Sequence, residues 1–193
     1  MDADETRYRE IYGTYFTRIR NYLARSVGSE DAEDLAQEAF LKVYASIAGF
    51  KEKSLPYTWV YRIATYLLID RKRRDRIRVD RCDLSDRKLF CESHGDYLVE
   101  EYRIVENEMK ECICSYIKAL PIRYRSIIIL REYESMSIGD IASVMDISPE
   151  NAKKTLARAR KRLRESLIGN CLLSHDDSNR LCCEKKAPEL SSS

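Results

Sequence analysis

Apolar residues recur at helical spacing along most of this chain. From Tyr8 to Ser26 they fall at Tyr8, Ile11, Tyr12, Tyr15, Ile19, Tyr22 and Leu23, which is one face of a helix. Gly28-Ser29 punctuates the pattern. Ser29 is expected to cap a second helix, and Glu30, Asp31, Glu33 and Asp34 suit the positive end of its dipole. That helix carries Ala32, Leu35, Ala36, Ala39, Phe40, Val43, Tyr44 and Ile47 as its apolar stripe and an acidic outer face. Gly49 ends it, and Phe50 to Ser54 reads as a loop. Ser54-Leu55-Pro56 then has the form of a cap followed by a proline in the first turn, where its missing N–H costs nothing. A third helix places Trp59, Val60, Ile63, Ala64, Leu67 and Leu68 inward and runs into Arg71-Lys72-Arg73-Arg74.

From about Asp75 to Arg103 the period is lost, and the segment reads as a linker. Helical spacing returns at Val105, Met109, Cys112 and Tyr116, beside Ile113, Ile117 and Leu120, and Pro121 breaks it. Three short helices are predicted next, over Tyr124–Tyr133, Ile138–Met145 and Pro149–Leu167. After Gly169 the chain is polar and irregular, and no element is expected there. The pattern predicts an all-α protein of two small helical domains joined by a linker, at about 5–75 and 105–168, with a linker at 76–104 and a cysteine-containing tail at 169–193.

Composition narrows the function classes. Six Gly and four Pro in 193 residues favour helices over strands. No run of about 18 apolar residues exists, and Met1-Asp2-Ala3-Asp4-Glu5 lacks the apolar stretch of a secretory signal, so a cytoplasmic protein without membrane insertion is expected. In a reducing compartment the seven cysteines are expected as thiols or metal ligands. Two histidines, no glycine-rich phosphate loop and no nucleophile–base arrangement leave nothing from which to build a catalytic site, so no enzyme is expected.

Two features carry chemistry. In the first, Ser137 or its neighbour caps a short helix with Ile138, Ile141, Ala142 and Met145 inward. Asp146-Ile147-Ser148 turns the chain, and Ser148 caps a second helix with Pro149 at its first position. Two short helices meeting near a small residue, Ala142, is the helix-turn-helix layout, whose second helix enters the major groove by its N-terminal end. Asn151, Lys153 and Lys154 would meet base edges there, and the downstream arginines would hold phosphates. The plainer reading is a solvated basic amphipathic helix. In the second feature, Trp59, Tyr61 and Tyr66 interleave with Arg62 and end in a basic run, a combination suited to separated DNA strands because bases stack on rings while cations follow the backbone. Its plainer reading is a core tryptophan and a solvated helix end.

Together the two halves resemble the bacterial RNA polymerase sigma factors, in particular the small extracytoplasmic-function (group 4 of the sigma-70 family) type. Asp31-Ala32-Glu33-Asp34-Leu35-Ala36-Gln37-Glu38-Ala39-Phe40 is similar to the region 2.2 pattern, Trp59-Val60-Tyr61-Arg62-Ile63-Ala64 with Leu68-Ile69-Asp70-Arg71-Lys72-Arg73-Arg74 to regions 2.3 and 2.4, and Leu120-Pro121 through Tyr133 with Ser137–Arg164 to region 4. The resemblance implies a subunit that directs core polymerase to promoters and helps melt the −10 element, without a cofactor for promoter recognition. It implies polymerase contacts, to the beta-prime clamp helices, at Asp31, Asp34, Gln37, Glu38 and Phe40, and a further contact of the protein with the beta flap. It implies −10 contacts at Phe50, Lys51, Lys53, Trp59, Arg62, Arg71, Lys72, Arg73 and Arg74, and −35 contacts at Ser148, Glu150, Asn151, Lys153, Lys154, Thr155, Arg158 and Arg160. An anti-sigma factor is a further partner that the family commonly has. Tyr66 stands where the family often has Asn, and Asp146 where it often has Gly. The alternative from another class is a helix-turn-helix repressor or activator that binds duplex DNA without polymerase; the acidic helix around Asp34–Phe40 speaks against it.

The tail adds a further reading. Cys112 and Cys114 before region 4, with Cys171, His175, Cys182 and Cys183 in the tail, resemble the metal-responsive CorE-type sigma factors, which implies zinc or copper as a regulatory ligand. Against this, Cys171-x3-His175-x6-Cys182-Cys183 matches no standard zinc spacing, and Cys112 and Cys114 point to different sides of a continuous helix. Incidental or structural thiols are the alternative.

Overall fold

A computed structural model describes residues 3–50, 55–79, 112–175 and 181–185; the side chains of 76–79, 172, 173, 175 and 181–185 lie outside that description. Residues 80–104 of the predicted linker, the Ser54 cap, and Lys51 and Lys53 of the loop therefore fall outside the described residues, whereas residues 76–79, expected to open the linker, continue the helix that begins at Pro56.

The first domain consists of α1 (Ala3–Val27), α2 (Ser29–Ser46), a 3-10 turn at Ile47–Gly49, and α3 (Pro56–Val79). Its core is built as the periodicity predicts. Ala32, Ala36 and Ala39 are fully buried on α2, and their small side chains let α1 lie close. Ile19, Tyr22 and Leu23 of α1 meet Leu35, Phe40 and Val43 of α2 and Val60, Ala64, Leu67 and Leu68 of α3. Phe40 sits edge-on to Tyr12, with ring centroids 5.1 Å apart, and 5.3 Å from Phe16. One expectation is corrected. Ser29 is not the cap of α2 but its first residue; Gly28 holds the cap position, with φ of 102° and no side-chain cap bond. The chain reverses between α1 and α2 in a single residue, and that conformation is open to glycine and strained for serine.

The second domain comprises α4 (112–119), α5 (Ile122–Ile128), a π-helical segment (Ile129–Tyr133), α6 (Ile138–Met145) and α7 (Pro149–Asn170). The helix expected over Tyr124–Tyr133 starts at Ile122, straight after Pro121, and loosens to π geometry from Ile129. Its widened turn closes with Glu134 N–H donating to the Ile129 carbonyl at 3.1 Å. The helix-turn-helix follows its sequence signals closely. Ser137 Oγ accepts from Asp140 N–H at 3.1 Å, and Ser148 Oγ accepts from Asn151 N–H at 3.2 Å. Asp146 takes the left-handed conformation, φ 55° and ψ 51°, which Asp tolerates better than most residues.

The tail differs from the expectation of an irregular segment. Cys171–His175 and Leu181–Lys185 form strands β1 and β2 of an antiparallel ribbon that leaves α7 directly, pairing Cys171 with Lys185 and Leu173 with Cys183. Among the described residues the two domains consist of helices and the turns between them, as predicted, and the ribbon is an appendage to them.

The domains pack against one another, α3 against α6, and share one continuous apolar cluster. Tyr22 is fully buried near this junction, its ring 5.4 Å from that of Tyr61 and its hydroxyl 2.9 Å from Thr65 Oγ1. Burial pushes the Tyr22 hydroxyl up to about 12 from an ordinary 10.0, and burial together with the Glu134 carboxylate raises Tyr61 as well. A group whose pKa rises on folding favours the folded state below its unfolded value and loses that contribution as pH climbs. The melting temperature should therefore hold up to about pH 10 and fall as pH approaches 12, in step with tyrosinate absorbance. Thermal melts across that range check this; early tyrosinate formation without loss of stability would contradict it.

Candidate nucleic-acid and partner interfaces

The outer face of α2 presents Asp34, Gln37 and Glu38 to solvent. Asp31 is partly covered and pairs with Arg71 of α3 at 2.6 Å. Phe40 is 1% exposed, so this side chain supports the helix from inside and does not lie on its outer surface. The exposed apolar groups beside the acidic face are Leu41 and Tyr44, 69% and 53% exposed. Leu41 lies one turn beyond Gln37, off the stripe, and that misplacement was the sequence signal for it.

On α3 the aromatic and basic residues divide. Trp59 is half-buried and stacks on Phe50, with centroids 4.4 Å apart and 26° between planes. The Arg7 guanidinium lies over the far ring at 5.0 Å. Phe50 therefore closes the base of the loop as a packed group. Tyr61, expected among the exposed aromatics, is buried, whereas Tyr66 is 66% exposed. Arg62 is exposed on the same face, one turn before Tyr66, and donates to Asp146 at 2.8 Å. The basic run is partly compensated. Arg73 and Arg74 pair with Asp70 at 2.8 and 2.5 Å, and Arg74 above all holds that carboxyl below its usual range. Lys72 lies 3.5 Å from Asp75.

The N-terminal turns of α7 are open. Glu150, Asn151, Lys153 and Lys154 are exposed, while Ala152, Leu156 and Ala159 face the core. Asn151, Thr155 and Arg158 rise along one stripe, one helical turn apart. Ser148 is committed to its cap, and Arg160 is tied to Glu132 at 2.5 Å. Lys154 reaches back to Glu150 at 2.6 Å, an exposed pair that DNA phosphates can displace at little cost. If Lys153 and Lys154 each neutralise one phosphate, replacing both with Ala should lower the steepness of the salt dependence of DNA binding by about 2 log–log units. Binding isotherms at several salt concentrations measure this; an unchanged slope would remove both lysines from the interface.

Three cysteines have described side chains. Cys112 and Cys114 are half-buried on α4, and Cys171 is buried at the end of α7, its sulfur 3.5 Å from the Tyr116 hydroxyl. The side chains of His175, Cys182 and Cys183 are outside the described residues. Among the described residues no three His, Cys, Asp or Glu side chains come together in a way that could hold a metal ion. Among them, too, no helix is long and apolar enough to cross a membrane.

Comparison with known proteins agrees with this geometry. Residues 11–77 match the model of sigma-70 region 2, and residues 110–163 that of sigma-70 region 4. The chain is 30% identical over 170 residues to the ECF RNA polymerase sigma factor SigW of Bacillus subtilis, covering 86% of this chain and 91% of that protein. It is 29% identical over 167 residues to the ECF RNA polymerase sigma-E factor of Escherichia coli K12, covering 82% and 85%. Among solved structures it resembles the sigma factor RpoE of Bartonella quintana, crystallised with the anti-sigma factor NepR. The TM-score is 0.64 and the identity 20%, over 83% of this chain and 96% of that one. It also resembles CnrH in complex with the cytosolic domain of CnrY, with TM-score 0.58 and 16% identity over 86% and 90%.

A three-helix unit with an acidic outer face, followed by a helix-turn-helix whose second helix is open at its N-terminal end, agrees with the two matched regions of a promoter-recognition subunit of the sigma-70 class. Within that class the chain belongs to the extracytoplasmic-function RNA polymerase sigma factors. It works with core polymerase on promoter DNA, needs no cofactor for promoter recognition and is not itself an enzyme, since RNA synthesis belongs to the polymerase. The reading as a polymerase-independent repressor gives way because both regions match, in order, over most of the chain.

Proposed function

We propose the following division of labour within this sigma factor. Asp34, Gln37 and Glu38, flanked by exposed Leu41 and Tyr44, form the face of α2 that docks on core polymerase. Trp59, Arg62 and Tyr66, with the loop after Phe50, engage the melted −10 strand, where rings stack on bases and Arg62 and the run from Arg71 to Arg74 follow phosphates. Asn151 reads base edges of the −35 duplex, and Lys153, Lys154 and Arg158 hold its backbone. Asp31, Phe40 and Phe50 support these surfaces from within. The observation that carries this reading is the open N-terminal end of α7, capped by Ser148 and presenting Asn151 and Lys153 to solvent. The protein acts in the cytoplasm, where its polymerase is. An anti-sigma protein is a candidate regulator, supported by the RpoE structure, which holds the anti-sigma factor NepR.

Run-off transcription with purified core polymerase tests the assignment. Wild-type protein should yield specific transcripts, and Asn151→Ala should alter promoter preference while leaving core binding intact. A variant that keeps the promoter preference of the wild type would contradict the role of Asn151.

Metal control through the tail is a subordinate proposal. The ribbon register sets Cys182 opposite Ser174 and Cys183 opposite Leu173, two pairs along from Cys171. Equilibrium dialysis against zinc should give bound metal for the wild type and none after Cys182→Ser with Cys183→Ser. Equal metal content in both would overturn the proposal.

A further inference from the structure

We infer that Arg7, in the second turn of α1, is a positioning residue for promoter melting: its guanidinium closes a three-layer stack on Phe50 and Trp59 that fixes the root of the connection between α2 and α3. The inference rests on the assignment of Trp59 and that connection to the −10 strand.

The layers come from three separate parts of the first domain. Trp59 stands in the first turn of α3. Phe50 lies just past the 3-10 turn that follows α2, and its ring covers the indole with centroids 4.4 Å apart and 26° between planes. The Arg7 guanidinium lies over the Phe50 ring at 5.0 Å. Phe50 is 9% exposed and Arg7 is half-buried, so the cation is partly withdrawn from bulk water, which strengthens its attraction to the ring. Of the two arginines at this end of α1, Arg9 is exposed and pairs with Glu5 at 3.0 Å, whereas Arg7 turns to the stack.

The position of this stack gives it its importance. Phe50 N–H donates to the Ile47 carbonyl at 3.0 Å, and the backbone then leaves the turn extended, with φ −69° and ψ 96°. Helical bonding ends there, and the ring of Phe50 holds the departing chain to its neighbours. Phe50 and Trp59 stand at the two ends of the connection, so their stack pins both ends at one base. Arg7 ties that base to α1. The helix is a firm support, because Ile11, one turn further on, is buried in the same cluster as Ile47 of the 3-10 turn.

The consequence for DNA is positional. A melted strand is held by rings and cations set at the spacing of bases and phosphates. Groups on a connection between helices keep that spacing only as far as packing locks their supports. With the cation in place, Trp59 keeps one orientation and the chain leaves α2 in one direction. Without it, Phe50 loses its outer layer, and each capture of the strand must first order the root. Arg7 acts through Phe50 and Trp59 and is itself assigned no base or phosphate. An apolar side chain of similar length would cover the ring without attracting its negative face.

The sequence has one tryptophan, so tryptophan fluorescence comes from this stack. Arg7→Ala, Arg7→Leu and Arg7→Lys would be compared as free full-length proteins, and with purified core polymerase on a promoter that the wild type transcribes. In the free proteins, Arg7→Ala and Arg7→Leu should shift Trp59 emission and increase its quenching by acrylamide, while Arg7→Lys stays near the wild type. Permanganate attack on unpaired −10 thymines should develop about fivefold more slowly for Arg7→Ala and Arg7→Leu, the rate equivalent of one cation–π contact, and recover most of the way in Arg7→Lys. Melting temperature, core affinity and binding to a −35 duplex should be unchanged in all three, a pattern that a general loss of folding would not give. Promoter melting at the wild-type rate by Arg7→Leu would overturn the inference, as would slowing that lysine fails to relieve or that follows a fall in core affinity. Arg7→Leu and Arg7→Lys decide the matter even if Arg7→Ala fails to fold. Arg62→Ala combined with Tyr66→Ala, both exposed on α3, separates the inference from the reading beneath it. If that variant melts the promoter normally, the −10 assignment of α3 fails. If it is defective and Arg7→Leu is not, the role of Arg7 alone fails.

Discussion

Phe40→Ala should cost the first domain about 3–5 kcal/mol, the usual range for emptying a buried aromatic site. Phe40 is 1% exposed and is gripped from α1 by Tyr12 and Phe16 at centroid distances of 5.1 and 5.3 Å. The fully buried alanines around it leave the helices little room to collapse into the space. Urea unfolding of the full chain should show a lower midpoint, and polymerase binding should recover at temperatures low enough to keep the variant folded. A stable variant that no longer binds core polymerase would mean that Phe40 touches the partner after all.

The second large effect is expected from reversing charge on the α2 face. Asp34→Lys combined with Glu38→Lys leaves the core untouched, since both side chains are exposed, and stability should stay within about 0.5 kcal/mol. An acidic docking face calls for a basic partner surface, and setting like charges against it costs several kcal/mol. Affinity for core polymerase should fall by about 100-fold or more, with transcription lost in proportion. DNA binding by the isolated helix-turn-helix should be unaffected, because α7 lies at the other end of the chain. Normal core binding by this variant would place the docking surface elsewhere.

How far the molecule was legible in its sequence depended on the kind of contact. Where a stop signal, a cap and a stripe coincided, the reading was close. Ser137, the Ile138–Ile141–Ala142–Met145 stripe and Asp146 gave α6 its observed ends, and Ser148-Pro149 gave α7 its start. Ser29 was misplaced by one residue because the strongest cap former stood next to the glycine that the reversal needs. Phe40 and Phe50 belong to the family's motif, but the motif does not say which of its residues point inward; α1 and Trp59 decide that by covering them.

The junction between the domains was not legible at all. Tyr61, Arg125 and Glu134 are residue types that normally face water, and only the approach of a second domain buries them. The tail ribbon was missed because Cys171–His175 and Leu181–Lys185 lack a clear alternation of apolar and polar residues. The π-helical turn has no sequence signature that separates it from an ordinary helix end.

The central claim, that this chain directs polymerase by reading two separate DNA elements with α3 and α7, is tested most directly by mapping transcript starts. Core polymerase would be incubated with fragmented genomic DNA, with and without the protein, and the 5′ ends of the RNA sequenced. The account predicts starts that appear only with the protein and share two sequence elements at a fixed spacing, one near −10 and one near −35. Starts that share no such pair, or no protein-dependent starts at all, would contradict it.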